Sequence, residues 1–284
     1  MSTLPVSPGV ASPEFNIQDQ WVPHPEGRIF VRRWLPAAGA SGDPIVLMHD
    51  SLGCVALWRD FPAMLCQATG REVIGYDRLG FGQSDPRVGL PSLDFVKEEI
   101  DRYFPVLCES LGLGSFVVLG HSVGGAMGVE CAAGMEGTTA RCAALVSLSA
   151  QMYPENRTLE GIRAAREQFR DPAQLERLAR YHGDKAKWVL DAWTESWLNP
   201  EFAKWSLREV LPRVSCPILA VHGDNDEYGT PIHTDIIRER SGGPVRVEIM
   251  ADTGHVPQRE RPAAVLGLVG EFLAALRPLA PKRL

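Results

Sequence analysis

The feature that most constrains this chain is a glycine-flanked serine directly behind an apolar run. The sequence GHSVGG at 120–125 follows SFVVL at 115–119. A serine in such a sharp strand-to-helix turn is held in a strained backbone conformation, with its hydroxyl pushed out of the sheet. The flanking glycines avoid collisions with the neighbouring strand or helix. The alternative is an ordinary glycine-rich turn in which Ser122 only caps the helix.

The segments on both sides of Ser122 favour the strained turn. Residues 116–119 are large or β-branched, apolar and uncharged, which is typical of a strand buried on both faces. Residues 126–133 are mostly small and apolar, so a helix there can pack closely on a sheet. The sequence therefore predicts a buried strand, a sharp turn and a helix, with Ser122 as a candidate nucleophile.

Predicted strands and helices alternate along the chain. Further strands are predicted at 28–34, 44–49, 72–76, 143–148, 217–222 and 245–250, and helices at 58–69, 92–111 and 262–276. This alternation implies βαβ units and a largely parallel sheet, which is an α/β fold. Residues 151–211 contain no strand candidate and hold four of the seven tryptophans, so a helical insertion is predicted there.

Composition and charge argue against several partners. The formal net charge of −6 and the scattered basic residues give no reason to expect nucleic acid or an anionic membrane. No apolar run approaches the roughly 18 residues of a transmembrane helix, and residues 1–13 lack a signal-peptide pattern. The six cysteines include no Cys-x-x-Cys pair, and the seven histidines are dispersed. We therefore predict a cytoplasmic protein without a metal or another cofactor.

A nucleophilic serine needs a base to remove its proton and a carboxylate to orient that base. The best base is His255, in the loop between the last predicted strand and the last helix. The best carboxylate is Asp226, just past the preceding strand, with Asp224 as the alternative. All three candidate groups follow the C-terminal ends of strands, where open α/β sheets build their sites.

With these elements the chain resembles the α/β-hydrolase-fold serine hydrolases. The resemblance rests on G-x-S-x-G at 120–124, on Gly223-x-x-Asp226 and on Gly254-His255, in the family's order, and on the loop at 76–85. It implies a mostly parallel central sheet flanked by helices, with a helical cap. We expect core segments at 15–150 and 212–284, a cap at 151–211 and a flexible arm at 1–14.

The resemblance also implies an oxyanion hole made of two backbone N–H groups. One is expected from Val123, at the N-terminus of the helix after Ser122, where the helix dipole also helps. The other is expected from Ser51, in the loop after the third strand. Similar enzymes often have His-Gly at the start of this loop, whereas this chain has His49-Asp50. Asp50 either alters the geometry of the hole or merely caps the turn, and we favour the cap.

The tryptophans of the insertion permit two interpretations. Trp193 and Trp197 are four residues apart on one helical face, a spacing that usually means packing onto the main domain. The alternative is an apolar wall over a substrate pocket. Taken together, these aromatic residues favour a small or medium apolar substrate over a highly charged one.

The expected activity is hydrolysis of a small to medium apolar carboxylic ester, lactone or thioester through an acyl-enzyme. One open alternative is a C–C bond hydrolase acting on a diketone-like ring-cleavage product. A cofactor-free haloperoxidase or perhydrolase side activity and a non-catalytic ligand receptor also stay open. Dehalogenases and epoxide hydrolases of this fold use an aspartate at the position of Ser122, which disfavours both activities here.

Overall fold

One mixed sheet of eight strands forms the centre of the molecule. The computed structural model describes residues 15–135 and 139–276, so the predicted arm at 1–14 lies outside the described residues. The strands are β1 (Phe15–Val22), β2 (Ile29–Pro36), β3 (Ile45–Met48), β4 (Val73–Tyr76), β5 (Ser115–His121), β6 (Arg141–Leu148), β7 (Ile218–Gly223) and β8 (Val245–Met250). Their order across the sheet is β1-β2-β4-β3-β5-β6-β7-β8.

The pairing of the strands confirms the predicted α/β class. Strands β3 to β8 run parallel to one another, whereas β2 is antiparallel to both β1 and β4. Every predicted strand is present, and β1 is an additional one. Five of the eight side chains of β1 are exposed, and four of the eight are polar, in an edge strand that pairs only with β2. It therefore lacks the apolar pattern by which the other strands were predicted.

Helices cover both faces of the sheet. They are α1 (Phe61–Thr69), α2 (Phe95–Glu98), α3 (Phe104–Leu111), α4 (Val123–Ala133), α5 (Asn156–Gln168), α6 (Pro172–His182), α7 (Ala186–Trp197), α8 (Ile232–Arg240), α9 (Pro257–Glu260) and α10 (Pro262–Ala275). Alternate residues of β3 enter different cores: Ile45 joins the cluster containing α1 and α10, whereas Val46 joins the cluster containing α3 and α4. The sheet is thus buried on both sides, as parallel sheets generally are.

The helix predicted at 92–111 changes its helical type in the middle. Between α2 and α3 the chain forms one wide π-type turn over Glu99–Tyr103, and Pro105 follows in the first turn of α3. Proline has no N–H to donate to the preceding turn, so a regular α-helix cannot continue through it. The predicted helix is therefore present over 95–111, with one π-type turn inside it.

The insertion between β6 and β7 is helical, as predicted. Helices α5, α6 and α7 occupy it, and no described residue between 151 and 211 belongs to a strand. The Glu155 side chain accepts from the backbone at the start of α5 while Thr158 bonds back to Glu155, and Asp171 caps α6. These caps satisfy N–H groups that the first helical turns leave free. No helix in the described residues is long and apolar enough to cross a membrane.

The turn after β5 predicts a sharp difference between two glycine substitutions. A Cβ at Gly124 would lie 2.0 Å from the backbone oxygen of Met48, whereas a Cβ at Gly267 on α10 would meet nothing within 4 Å. We expect Gly124→Ala to lower the free energy of unfolding by at least about 2 kcal/mol. Gly267→Ala should leave it unchanged or raise it by up to about 1 kcal/mol. Urea unfolding of both variants measures this, and equal effects would contradict the close contact.

Candidate active site

The backbone at Ser122 is strained in the way that the sequence predicted. Ser122 lies between β5 and α4 with φ 55° and ψ −125°, a positive φ that residues with a side chain rarely adopt. A Cβ at Gly120 would come within 2.2 Å of the Gly124 carbonyl oxygen. Only glycine fits there, so the strand and the helix approach closely enough to force this conformation. The alternative of an ordinary serine cap is wrong, because the Ser122 side chain makes no cap hydrogen bond.

The structure brings the three predicted side chains into one chain of hydrogen bonds. His255 follows β8, and its Nε2 lies 3.0 Å from Ser122 Oγ. The Nδ1 of His255 lies 2.9 Å and 2.8 Å from the two carboxylate oxygens of Asp226, which follows β7. Because a carboxylate only accepts, Nδ1 carries the proton and Nε2 accepts from the serine hydroxyl. This tautomer can take a proton from Ser122.

The carboxylate that accepts a hydrogen bond from His255 is that of Asp226 and not that of Asp224. Asp226 is 0% exposed, and its Oδ1 also accepts from the N–H groups of Tyr228 at 2.7 Å and Gly229 at 3.2 Å. Asp224 is exposed, and its carboxylate faces the N–H of Thr253 at 3.4 Å. Of the two acids that the sequence left open, the geometry therefore favours Asp226.

Charge and burial shift the pKa values of Asp226 and His255 in opposite directions. Burial alone would raise the pKa of Asp226, but the hydrogen bond and the charge of His255 hold it below its ordinary value. Burial alone would lower the pKa of His255, but the hydrogen bond and the charge of Asp226 raise it above its ordinary value. The pair therefore stabilises a positive imidazole beside Ser122. As a base His255 must be neutral, so its capacity to accept a proton is lost as the pH falls.

One predicted oxyanion donor follows Ser122 in the chain, and the other lies on the loop after β3. Val123 is the first residue of α4, and Ser51 shares a cavity with Ser122. Within the described residues, neither N–H donates to another protein group. Free N–H groups at a helix N-terminus suit a developing negative charge. The geometry thus leaves both donors available.

A buried arginine that sequence reasoning missed holds the loop of Ser51. The Arg78 guanidinium donates to the Asp50 carbonyl oxygen at 2.7 Å, and its backbone N–H donates to His49 Nε2 at 3.1 Å. The guanidinium also lies 4.3 Å from the centre of the Phe81 ring. Arg78 belongs to the matched loop at 76–85, which was the available signal. These contacts fix the backbone immediately before Ser51.

Asp50 does not cap its turn, so that interpretation was wrong. No backbone N–H in the described chain donates to its carboxylate. Instead, one carboxylate oxygen lies 3.4 Å from Nδ1 of His121. Burial would raise the pKa of Asp50, but the hydrogen bond and the charge of His121 bring it down to about 2. Asp50 is therefore ionised at neutral pH.

A cavity of about 270 Å³ opens above Ser122 and His255. Three apolar side chains of the insertion, Ile162, Trp193 and Trp197, form part of its wall. Trp193 also packs on Tyr228 of the core segment, so both interpretations hold for it, whereas the Trp197 ring packs on Phe202 within the insertion. The sequence reasoning missed the remaining cavity residues outside the predicted site, which are Leu52, Gln151, Thr158, Glu227, Tyr228 and Val256.

A second cavity of about 330 Å³ adjoins the first one on the side of α1. Asp50, Leu52 and Val256 line both cavities and form the wall between them. The second cavity is lined in part by the apolar side chains of Trp58 and Met64.

Among the described residues, no group of three or more His, Cys, Asp or Glu side chains could hold a metal ion.

Solved structures with the same fold include enzymes of several activities. An esterase from Thermogutta terrifontis superposes with a TM-score of 0.67 at 20% identity, covering 90% of this chain and 98% of that one. The enol-lactonase from Burkholderia xenovorans LB400 also gives a TM-score of 0.67, at 19% identity, covering 90% and 100%. At these identities the similarity establishes the fold.

Curated relatives match parts of longer proteins. The 1-acylglycerol-3-phosphate O-acyltransferase ABHD5 of Homo sapiens is 37% identical over 86 residues, which are 29% of this chain and 23% of that protein. The dihydrolipoyllysine-residue acetyltransferase component of the acetoin cleaving system of Pseudomonas putida is 26% identical over 247 residues. That match covers 80% of this chain and 62% of the relative, so this chain spans less than two thirds of either relative.

The family is established by a match that covers most of the chain. Residues 45–268 match the model of the alpha/beta hydrolase family, a range that contains the strained turn after β5, the helical insertion and the loops after β7 and β8. The resemblance inferred from the sequence motifs is thereby confirmed. This chain is a member of the alpha/beta hydrolase family.

Proposed function

We propose that this protein is a serine hydrolase that cleaves small to medium apolar carboxylic esters, including lactones or thioesters. The observation that carries the proposal is the hydrogen-bonded chain from Ser122 through His255 to Asp226, which opens into a partly apolar cavity. Nucleophile, base and orienting carboxylate are the three parts that acyl transfer to water requires.

In the proposed mechanism His255 Nε2 removes the hydroxyl proton while Ser122 Oγ attacks the carbonyl carbon. The oxyanion that forms accepts hydrogen bonds from the N–H groups of Ser51 and Val123. Asp226 stabilises the imidazolium, which then gives its proton to the leaving alkoxide as the acyl bond breaks. His255 next deprotonates a water molecule that attacks the acyl-enzyme, and the acid product leaves with Ser122 restored.

The cavity supports an apolar substrate of limited size. Ile162, Trp193 and Trp197 supply apolar surface, and the volume of about 270 Å³ lies just below the usual range for ligand sites. An esterase and an enol-lactonase share the fold, so both ester and lactone hydrolysis are compatible with it. Both curated relatives are named as acyltransferases, whose chemistry also transfers an acyl group.

Intact-protein mass after fluorophosphonate treatment tests the nucleophile. We expect one adduct on the wild type and none on Ser122→Ala, whose ester turnover should fall by at least about a thousandfold. Ser51→Ala is the matched control, because it removes another hydroxyl from the cavity but keeps the backbone N–H; it should still be labelled.

The outcomes separate the alternative functions. Near-normal ester hydrolysis by a clean Ser122→Ala preparation would contradict the mechanism. A labelled wild type that cleaves diketones but not esters would identify a C–C bond hydrolase. A folded wild type that takes no label and binds a ligand unchanged by Ser122→Ala would indicate a receptor.

The two aspartates after β7 make a second matched pair. Asp226→Asn removes the charge that supports the imidazolium and changes the favoured tautomer, so kcat should fall by about a thousandfold or more. Asp224→Asn alters an exposed side chain and should keep kcat within about threefold of the wild type. Steady-state kinetics on a 4-nitrophenyl ester measures both variants. A larger loss in Asp224→Asn would overturn the assignment of the acid.

The wall of the cavity predicts a change in acyl-chain preference. Ile162→Trp should fill part of the cavity and move the optimum of kcat/KM toward shorter 4-nitrophenyl esters. Ala164→Trp, on the exposed face of the same helix, is the control and should leave the optimum in place. An unchanged optimum in a folded Ile162→Trp variant would show that the substrate lies elsewhere.

A further inference from the structure

His121, the residue before the nucleophile, bridges two loops of the site. It is 2% exposed, and its Nε2 lies 2.8 Å from the backbone carbonyl oxygen of His255. Its Nδ1 lies 3.4 Å from a carboxylate oxygen of Asp50. The two ring nitrogens therefore face opposite partners, one on the loop after β8 and one on the loop after β3.

The partners of His121 determine its protonation state. A backbone carbonyl can only accept a hydrogen bond, so Nε2, 2.8 Å from the His255 oxygen, carries a proton. Nδ1 lies at ion-pair distance from the Asp50 carboxylate, a contact that is attractive only when Nδ1 is protonated as well. A neutral imidazole would direct a lone pair at one of these oxygens, which is unfavourable in a buried site. The arrangement therefore matches an imidazolium at His121 that is paired with the Asp50 carboxylate.

Asp50 is itself fixed from two sides. Arg78 donates to its backbone carbonyl at 2.7 Å, while its carboxylate faces His121. The absence of a side chain at Gly53 makes room for this carboxylate, because a Cβ there would lie 2.2 Å from Asp50 Oδ1. One continuous set of contacts thus joins Arg78, the oxyanion loop, the residue before the nucleophile and the backbone of His255.

We propose that Asp50 is a positioning residue that acts through an imidazolium at His121. This imidazolium holds the backbone of His255 at a fixed position relative to Ser122 and the loop of Ser51. The inference rests on the proposed function, because it assumes that His255 is the base. Similar enzymes with glycine at this position lack the carboxylate, so this tether depends on Asp50. A displacement of about 1 Å at a reacting group can lower the rate about a hundredfold, so a contact that holds the His255 backbone in place can affect kcat.

Two substitutions of Asp50 distinguish the contact between Asp50 and His121 from the negative charge of the Asp50 carboxylate. In Asp50→Asn the amide can donate to Nδ1 of a neutral His121, which still donates from Nε2 to His255, so kcat should stay within about fivefold. Asp50→Ala removes the tether, and we expect kcat to fall at least about twentyfold while KM changes less than about threefold. Glu109→Ala, an exposed carboxylate on α3, is the control and should match the wild type.

Nitrogen NMR of the imidazole rings gives a readout that does not need turnover. In wild type at pH 7 we expect the His121 ring to carry protons on both nitrogens, and in Asp50→Asn only on Nε2. The variant His121→Asn identifies the signal by its loss. A neutral His121 ring in the wild type would overturn the proposal, and so would equal kcat values for Asp50→Ala and wild type.

The proposed function and this inference can fail separately. An imidazolium at His121 that Asp50→Asn abolishes would establish the ion pair even in a protein that takes no fluorophosphonate label and hydrolyses no ester. In that case the serine hydrolase proposal would fall, and with it the kinetic role of Asp50. A labelled, active enzyme whose His121 is neutral would keep the hydrolase and remove the tether.

Discussion

The site depends on a backbone contact that excludes side chains. Gly124 lies so close to the carbonyl of Met48, and Gly120 so close to Gly124, that a Cβ at either glycine would overlap backbone atoms. This contact forces Ser122 to a positive φ and sets its hydroxyl at the end of the sheet. The strain is sustained by the fully buried strands around it, because their packing leaves the turn no relaxed alternative.

The sheet then determines which loops can reach Ser122. Strands β3, β5, β7 and β8 run parallel, so their carboxyl ends meet at one edge. The loops there carry Ser51, Ser122, Asp226 and His255 in turn. The helical insertion between β6 and β7 adds the apolar wall over that edge. The hydrogen bond from His255 to the buried Asp226 carboxylate orients His255, and the charge of that carboxylate favours its protonated form.

Much of this could be predicted from the sequence because the signals are local. Apolar runs located the buried strands, and G-x-S-x-G with the loops near 226 and 255 located the candidate site. Edge strand β1 lacked such a run. The partner of Asp50 was missed because it depends on three-dimensional packing, whereas the π-type turn before α3 had a local signal in Pro105. Cavity residues such as Ile162 and Gln151 have no motif, since their role comes only from how the insertion lies on the sheet.

A crystal structure of the fluorophosphonate adduct tests the proposed site most directly. It places the reacting serine, the histidine and the oxyanion donors in one experiment. We expect phosphorus bonded to Ser122 Oγ and a phosphoryl oxygen about 2.7–3.1 Å from the N–H groups of both Ser51 and Val123. A phosphoryl oxygen directed away from these donors would contradict the proposed oxyanion hole, and an adduct on another residue would contradict Ser122 as the nucleophile.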